Sequence, residues 1–401
     1  MRYASTLSLS LIKFTLYIII PALLLAHGII WHHYNISSPE IIYAMKLAYV
    51  LVLVGMLWHI DLKCTVRFSL IDKYIFFGFT VILLSSLIAP LLSEVGTLRY
   101  TISDFIGFAL IPIYYVAAIN FIFHKSIGID EFIIIVINAT FFSSLSVLFM
   151  YIYTGGEKVS IPPELHFGGA LATAYLIFNF NIMRFPTLIK IIIIMAACVF
   201  SLQRINIIVL VIPIILFVFM NFFNAKKILA IIFFVILTSF SFYLVNGDAL
   251  VNVISSFSFD LSDSSLNFHN SSANQRLIEI SLILRELSSY DWYTYLIGKG
   301  FGAEYHNYMN AVSHYDEVMH HAHSSPFLIM LRNGILGVAF IFTIPVFFIS
   351  RLTNKNIIAI VISGLISTYV ALLVDQYIYW GALFAISLAL CSSVFKMTKV
   401  R

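Results

Sequence analysis

From its first residues to its last the chain repeats apolar runs long enough to cross a hydrocarbon core of about 30 Å, and this limits its fold more than any other feature. In lipid every backbone N–H and C=O must be satisfied within the chain, which leaves helices or a closed barrel. The runs are continuous rather than alternating, so they predict an all-α, polytopic transmembrane helical bundle and not a barrel of short strands. Composition agrees: 61% of residues are hydrophobic and 10% charged, against roughly 25% charged in an average soluble domain.

Spans are expected near 8–29, 41–60, 74–91, 105–123, 132–153, 167–181, 187–202, 205–222, 228–246, 326–350, 357–374 and 377–395, about twelve helices in all. Between 167 and 222 the segments are short and closely spaced, so a merged or re-entrant piece also fits there. The first span has no small-residue cleavage site after its apolar stretch and reads as a retained anchor. The organisation is then transmembrane helices over 1–246, a large loop over 247–325, and three helices with a tail over 326–401.

The net charge is +4, and its placement matters more than its size. Alternate short loops carry Lys63, Arg67 and Lys73, then Lys125, then Arg184 and Lys190, then Lys226 and Lys227, then Arg351 and Lys355. With Arg2, Lys396, Lys399 and Arg401 these put both termini in the cytoplasm by the positive-inside rule, and the 247–325 loop on the opposite face. Topology accounts for the basic residues, and nothing points to nucleic acid. Cys64, Cys198 and Cys391 offer neither a paired framework nor metal-ligand spacing.

A structureless loop as long as 247–325 is unusual in a compact protein, so part of it is expected to fold or bear function. From Arg276 to Leu287 apolar residues fall at helical spacing, with Arg276, Glu279 and Glu286 towards another side, as in an interfacial amphipathic helix. Trp292, Tyr293 and Tyr295 suit the headgroup level. "GKGFG" at Gly298 to Gly302 lacks the spacing and Ser/Thr of a phosphate loop and reads as a turn.

Candidate chemistry gathers on the same face. Ser325 followed by Pro326 is a helix start, which sets His323 just outside a helix N-terminus whose partial positive charge suits an anion and favours a neutral imidazole. A neutral histidine there can accept a proton. His314, His320, His321 and His323 also read as polar residues at a wet interface, or, with Asp316 or Glu317, as metal ligands, although four ligands at an established spacing are not visible. Arg204, in "SLQRINIIVLVI", sits at an outer turn against the charge bias of the loops; it reads as a phosphate partner or as a snorkelling side chain. Arg276 reads as a second diphosphate ligand or as part of a solvated face. Lys13, Lys46 and Asp375 are weaker candidates, Asp260 and Asp263 read as loop residues, and Gly334 and Gly337 read as close-packing positions.

These residues, in this order, resemble the O-antigen polymerase and O-antigen ligase superfamily of bacterial envelope glycosyltransferases. The resemblance lies in the many-helix plan, the late large loop, "SLQR" at Arg204, "NQRLIEI" at Arg276, and "HAHSSPFLIMLRNGILG", whose His323 closes the loop before a helix with a "GILG" turn. The family histidine is usually followed by Asn, and here Ser324 follows. The resemblance implies a protein of the bacterial inner membrane that transfers sugar from an undecaprenyl-diphosphate-linked oligosaccharide on the periplasmic side. Its other implied partners are membrane lipids, a chain-length regulator and a repeat-unit flippase. It implies Arg204 and Arg276 on the diphosphate, His323 on the acceptor hydroxyl, inversion at the anomeric carbon, and no metal or other cofactor. Polymerase is favoured over ligase because the His-Asn pair is absent. A transporter of the lipid-linked sugar, with Lys46, Asp375, Pro112, Pro213 and Pro345 in moving helices, is the competing class.

Overall fold

The structure is a computed structural model, and it describes residues 9–34, 39–58, 69–89, 98–124, 128–156, 164–201, 204–221, 272–307, 318–319, 325–350, 356–374 and 381–400. Among these, the first half of the chain forms α1 (Leu9–Tyr34, with a π-helical turn at Thr15–Ile19), α2 (Pro39–Leu57), α3 (Leu70–Ile88), α4 (Leu98–His124) and α5 (Ile129–Tyr153). Next come α6 (Glu164–Asn179), α7 (Phe185–Phe200) and α8 (Arg204–Met220). After the undescribed stretch 222–271 the chain forms α9 (Ser272–Ser288), α10 (Trp292–Ile297) and two short antiparallel strands, β1 (Tyr305–His306) and β2 (Val318–Met319). It ends in α11 (Ser325–Ile349), α12 (Asn356–Val374) and α13 (Gly381–Val400).

Each expected span from 8–29 to 205–222 and from 326–350 to 377–395 falls on a helix; the one at 228–246 lies outside the described residues. Among the described residues, five stretches are long and apolar enough to cross a membrane: Leu9–Tyr34, Leu70–Ile88, Tyr100–Ile122, Ile129–Tyr153 and Pro326–Ile349. Shorter apolar stretches lie in α2, α7, α8, α12 and α13. The crowded 167–222 region resolves into three helices rather than one merged span: α6 and α7 have 16 residues each and α8 has 17. At 1.5 Å per residue each is about 25 Å long, somewhat short of a full hydrocarbon core.

The bundle hides its polar groups and shows apolar ones. Phe77, Ile152 and Phe219 are 68%, 77% and 75% exposed, a surface that water penalises and lipid does not. Inside, α13 packs along α4, α12 along α6, and α6 along α8, with α5 beside α7. Small residues permit the approach, as where Gly364 of α12 meets Phe167 of α6 and Gly168 meets Thr140 of α5. α3 begins with a capping box in which Ser69 and Asp72 satisfy each other's backbone amides. The same Asp72 carboxylate accepts the Tyr115 hydroxyl of α4 at 2.7 Å and the Ser392 hydroxyl of α13, which ties three helices together.

α4 and α8 remain helical through Pro112 and Pro213. The real interruption is in α11, where Gly334 adopts φ 64°, ψ −171° and splits the helix in two. The segment α9–β1 docks on this region, so part of the expected large loop is folded against the bundle.

Candidate functional site

The site grows from the break in α11. A helix that stops leaves carbonyls without partners, and here the turn after α10 supplies them: the Lys299 amide donates to Leu331 O at 2.7 Å and the Gly300 amide to Arg332 O at 2.9 Å. Two glycines make the contact possible. Gly298 (φ 80°) lies so close to α11 that a Cβ would stand 2.3 Å from the Arg332 carbonyl carbon, and a Cβ on Gly334 would stand 2.2 Å from Leu296 O. "GKGFG" is therefore a turn, as its spacing indicates, and it serves as the cap of a broken helix. The Phe301 amide reaches Ser86 O at the end of α3, and the Gly302 amide donates to Asp104 Oδ2 of α4 at 2.9 Å.

Two buried charge clusters flank this turn. On the bundle side Arg332 Nε lies 3.0 Å from Asp104 Oδ2, both side chains almost fully buried, and Asn333 of α11 hydrogen-bonds Ser86 of α3. On the outer side Glu286 of α9 is 2% exposed and takes Lys299 Nζ on Oε1 at 2.8 Å. Lys299 also donates to Glu304 O at 3.2 Å and lies over the Tyr290 ring. Oε2 of Glu286 receives the His306 amide at 3.3 Å and His306 Nδ1 at 3.1 Å. Burial alone would push the Glu286 carboxyl up; the hydrogen bonds from Lys299 and His306 and the lysine charge outweigh it and hold the group below the usual carboxylate range. Glu286 is therefore an anion at neutral pH.

This arrangement corrects the sequence expectation for α9. Glu279 and Glu286 do not face away from the packed side: Glu279, Leu282, Ile283, Glu286 and Leu287 form one buried stripe, while Leu284 and Arg285 are exposed. The apolar periodicity is real, but Lys299 and His306 on the segment from α10 to β1 draw the Glu286 carboxylate onto the same face.

Of the residues expected from sequence to act, Arg204 opens α8 and Arg276 lies in the second turn of α9; both are placed by their backbones, with side chains outside the described set. His323, with His314, His320, His321, Asp260, Asp263, Asp316, Glu317 and Asp375, lies outside the described residues. α11 begins at Ser325 with Pro326 in its first turn, two residues after His323. Lys46 is exposed over the Tyr43 ring. Among the described residues no group of three or more His, Cys, Asp or Glu is placed to hold a metal.

Sequence reading missed Asp104, Arg332, Lys299 and His306. A signal existed for Arg332, the one charged residue of an apolar helix, which calls for a partner; Asp104 shares α4 with Arg99 and carries no such mark. For Lys299 and His306 there was none, since both lie in a polar stretch where charge is ordinary.

No model of a known protein family matches the chain, and no curated protein matches it significantly. The likeness to the O-antigen polymerase and ligase superfamily thus stands on "SLQR", "NQRLIEI" and the His323 segment.

Proposed function

We propose that this protein is a glycosyltransferase of the inner membrane that joins undecaprenyl-diphosphate-linked oligosaccharide repeat units at the periplasmic face, as an O-antigen polymerase does. One observation supports this most: the part of the 247–325 stretch from α9, which carries Arg276, to β1 folds onto the bundle at α11, the helix that starts two residues after His323. A glycosyltransferase with a lipid-linked donor needs such a platform, because the sugar is aqueous and its carrier is not.

In this reading Arg204 and Arg276 bind the diphosphate and stabilise the charge that develops as it leaves. The acceptor hydroxyl oxygen bonds to the anomeric carbon from the opposite face. The bond from that carbon to the diphosphate oxygen breaks, and its electron pair leaves with the diphosphate. His323 positions the hydroxyl or takes its proton. Inversion follows from attack opposite the leaving group. The arginines supply the positive charge that this step requires.

A ligase would use the same donor site with the lipid A core as acceptor. A transporter would claim the break in α11 as a mobile element. Against that, the carbonyls freed at Leu331 and Arg332 are already taken by backbone amides, and α4 and α8 continue through their prolines.

The decisive experiment is the lipopolysaccharide ladder of the host after deletion, complemented with wild type, Arg276→Ala or His323→Ala. Core bearing a single repeat unit and no ladder is expected, with either variant failing to restore chains. Loss of one charge-stabilising donor should cost on the order of 10²–10³ in turnover. Bare core with chains stranded on the carrier lipid would assign a ligase, and an unchanged ladder would sink both.

A further inference from the structure

We infer that the groove between the start of α3 and the end of α11 is a binding site for an anionic phospholipid, with Lys73 on the headgroup and apolar walls around an acyl chain. The inference goes beyond the glycosyl-transfer reading and does not depend on it.

The two helices touch at one level and part at the next. A Cβ on Gly78 would stand 1.9 Å from the Phe340 ring, so at that level a side chain of α11 fills the place of one on α3. One turn nearer the start of α3, the Tyr74 hydroxyl meets Thr343 Oγ1 at 2.8 Å. Around this bridge lies a groove of about 640 Å³, walled by Leu70, Ile71, Tyr74 and Phe77 of α3 and by Thr343 and Phe347 of α11, with Lys73 beside them. Ligand sites typically measure roughly 300–1,000 Å³. The α11 wall is fixed from behind. Pro345 has no amide to give the Ile341 carbonyl, which takes the Tyr369 hydroxyl of α12 at 2.8 Å instead, and Phe348 stacks on Phe395 of α13 at 5.6 Å. These ties keep the end of α11 from closing on α3.

The walls offer one polar hold. Thr343 donates its hydroxyl proton to Phe340 O at 2.8 Å and so accepts that of Tyr74, which leaves neither proton for a ligand. The Lys73 side chain is exposed, and among the described residues its ammonium has neither a hydrogen bond nor an ion pair. Its neighbour Asp72 is buried on the opposite side, where it accepts from Tyr115 and Ser392.

Charge and apolar surface together select the occupant. Leu70 and Phe76, at 84% and 50% exposure, belong to a surface that lipid covers and water does not favour. Lys73 lies near the first residue of a helix long and apolar enough to span, the depth at which a long cationic side chain reaches headgroups. A hydrocarbon chain suits the walls and a phosphate suits the lysine, and a phospholipid carries both. A net negative headgroup is favoured over a zwitterionic one, whose own ammonium would face Lys73. The groove is also separate from the turn at Gly298–Gly302: Lys73 precedes Ser86 by 13 residues, about 20 Å along α3.

The test titrates the full-length protein, in an uncharged detergent, with phosphatidylglycerol or phosphatidylcholine and reads the first bound lipid by native mass spectrometry. Wild type should hold phosphatidylglycerol more tightly. Lys73→Ala should weaken it about fivefold and leave phosphatidylcholine unchanged, whereas Lys73→Arg should keep the preference. Leu70→Glu, which sets a carboxylate three residues from Lys73 on the same helix face, should weaken phosphatidylglycerol at least as much. Both side chains are exposed, so the lipid-free variants should melt with wild type; if Lys73→Ala does not fold, the Arg and Glu variants carry the test. Equal affinity of wild type for the two lipids, or undiminished binding of phosphatidylglycerol to Lys73→Ala or Leu70→Glu, overturns the site. Displacement of the lipid by glycerol 3-phosphate alone also overturns it, because the groove would then contribute nothing.

Discussion

Arg332 and Asp104 are the residues whose chemistry is most costly to disturb. Both are buried in apolar helices, at 0% and 2% exposure, and their pairing offsets part of the cost of burying the two charges. Removing one partner should cost about 3–5 kcal/mol, so Arg332→Ala or Asp104→Ala should lower the melting temperature of the detergent-solubilised protein sharply. The paired change to Met at 332 and Leu at 104 should recover much of that loss, but not all, because Asp104 also accepts the Gly302 amide. Losses that simply add in the double variant would show that the two side chains are not coupled. The Arg332 charge was visible in "FLIMLRNG" as a lone cation in an apolar run. Its partner, more than 200 positions earlier in "TISDFIG", was not, because no local pattern links residues that meet only through tertiary packing.

At the scale of elements, hydrophobic run length was the reliable guide: the helices fall where apolar stretches of sufficient length fall. The break in α11 was less legible. Glycines in "NGILG" marked a place where backbones approach, yet a glycine in an apolar run equally suits a continuous packed helix. What decided the outcome was the turn at Gly298–Gly302, which supplies the amides that make a stop at Gly334 inexpensive. The two glycines are therefore one device, and Gly298→Ala should damage it at either end. A left-handed alanine costs about 1–3 kcal/mol even without a clash, and a Cβ at 2.3 Å from α11 adds to that. The expected result is faster amide exchange at Lys299 and Gly300 and easier proteolysis between α10 and β1, with α1–α8 unaffected. Unchanged protection at those amides would mean that α11 breaks for reasons of its own. The same logic explains α9. Its periodicity was plain in sequence, but which face carried Glu286 depended on Lys299 and His306, residues that follow the helix and were invisible to a helical wheel.

At the scale of the whole molecule, the functional proposal depends on sidedness. Arg204, Arg276 and His323 can serve one substrate only if the start of α8, the 247–325 stretch and the start of α11 share a face of the membrane. The proposal takes that face to lie outside the cytoplasm, the side that the positive-inside rule gives when basic residues gather in alternate loops. The contacts of the turn are in keeping with this: it touches α3 near its end, at Ser86, and α4 near its beginning, at Asp104, and successive helices that enter and leave a membrane meet in this way on one side. Reporter fusions test the point directly. Alkaline phosphatase inserted between 247 and 271 should be active, and a green fluorescent protein joined after Arg401 should fluoresce, because the first folds only outside the cytoplasm and the second only within it. If the two reporters behave in the opposite way, the hydrophilic segment lies with the cytoplasm, where nucleotide sugars rather than lipid-linked repeat units are the available donors. The roles of Arg204, Arg276 and His323 would then fall together, since all three depend on a substrate that has already crossed the membrane.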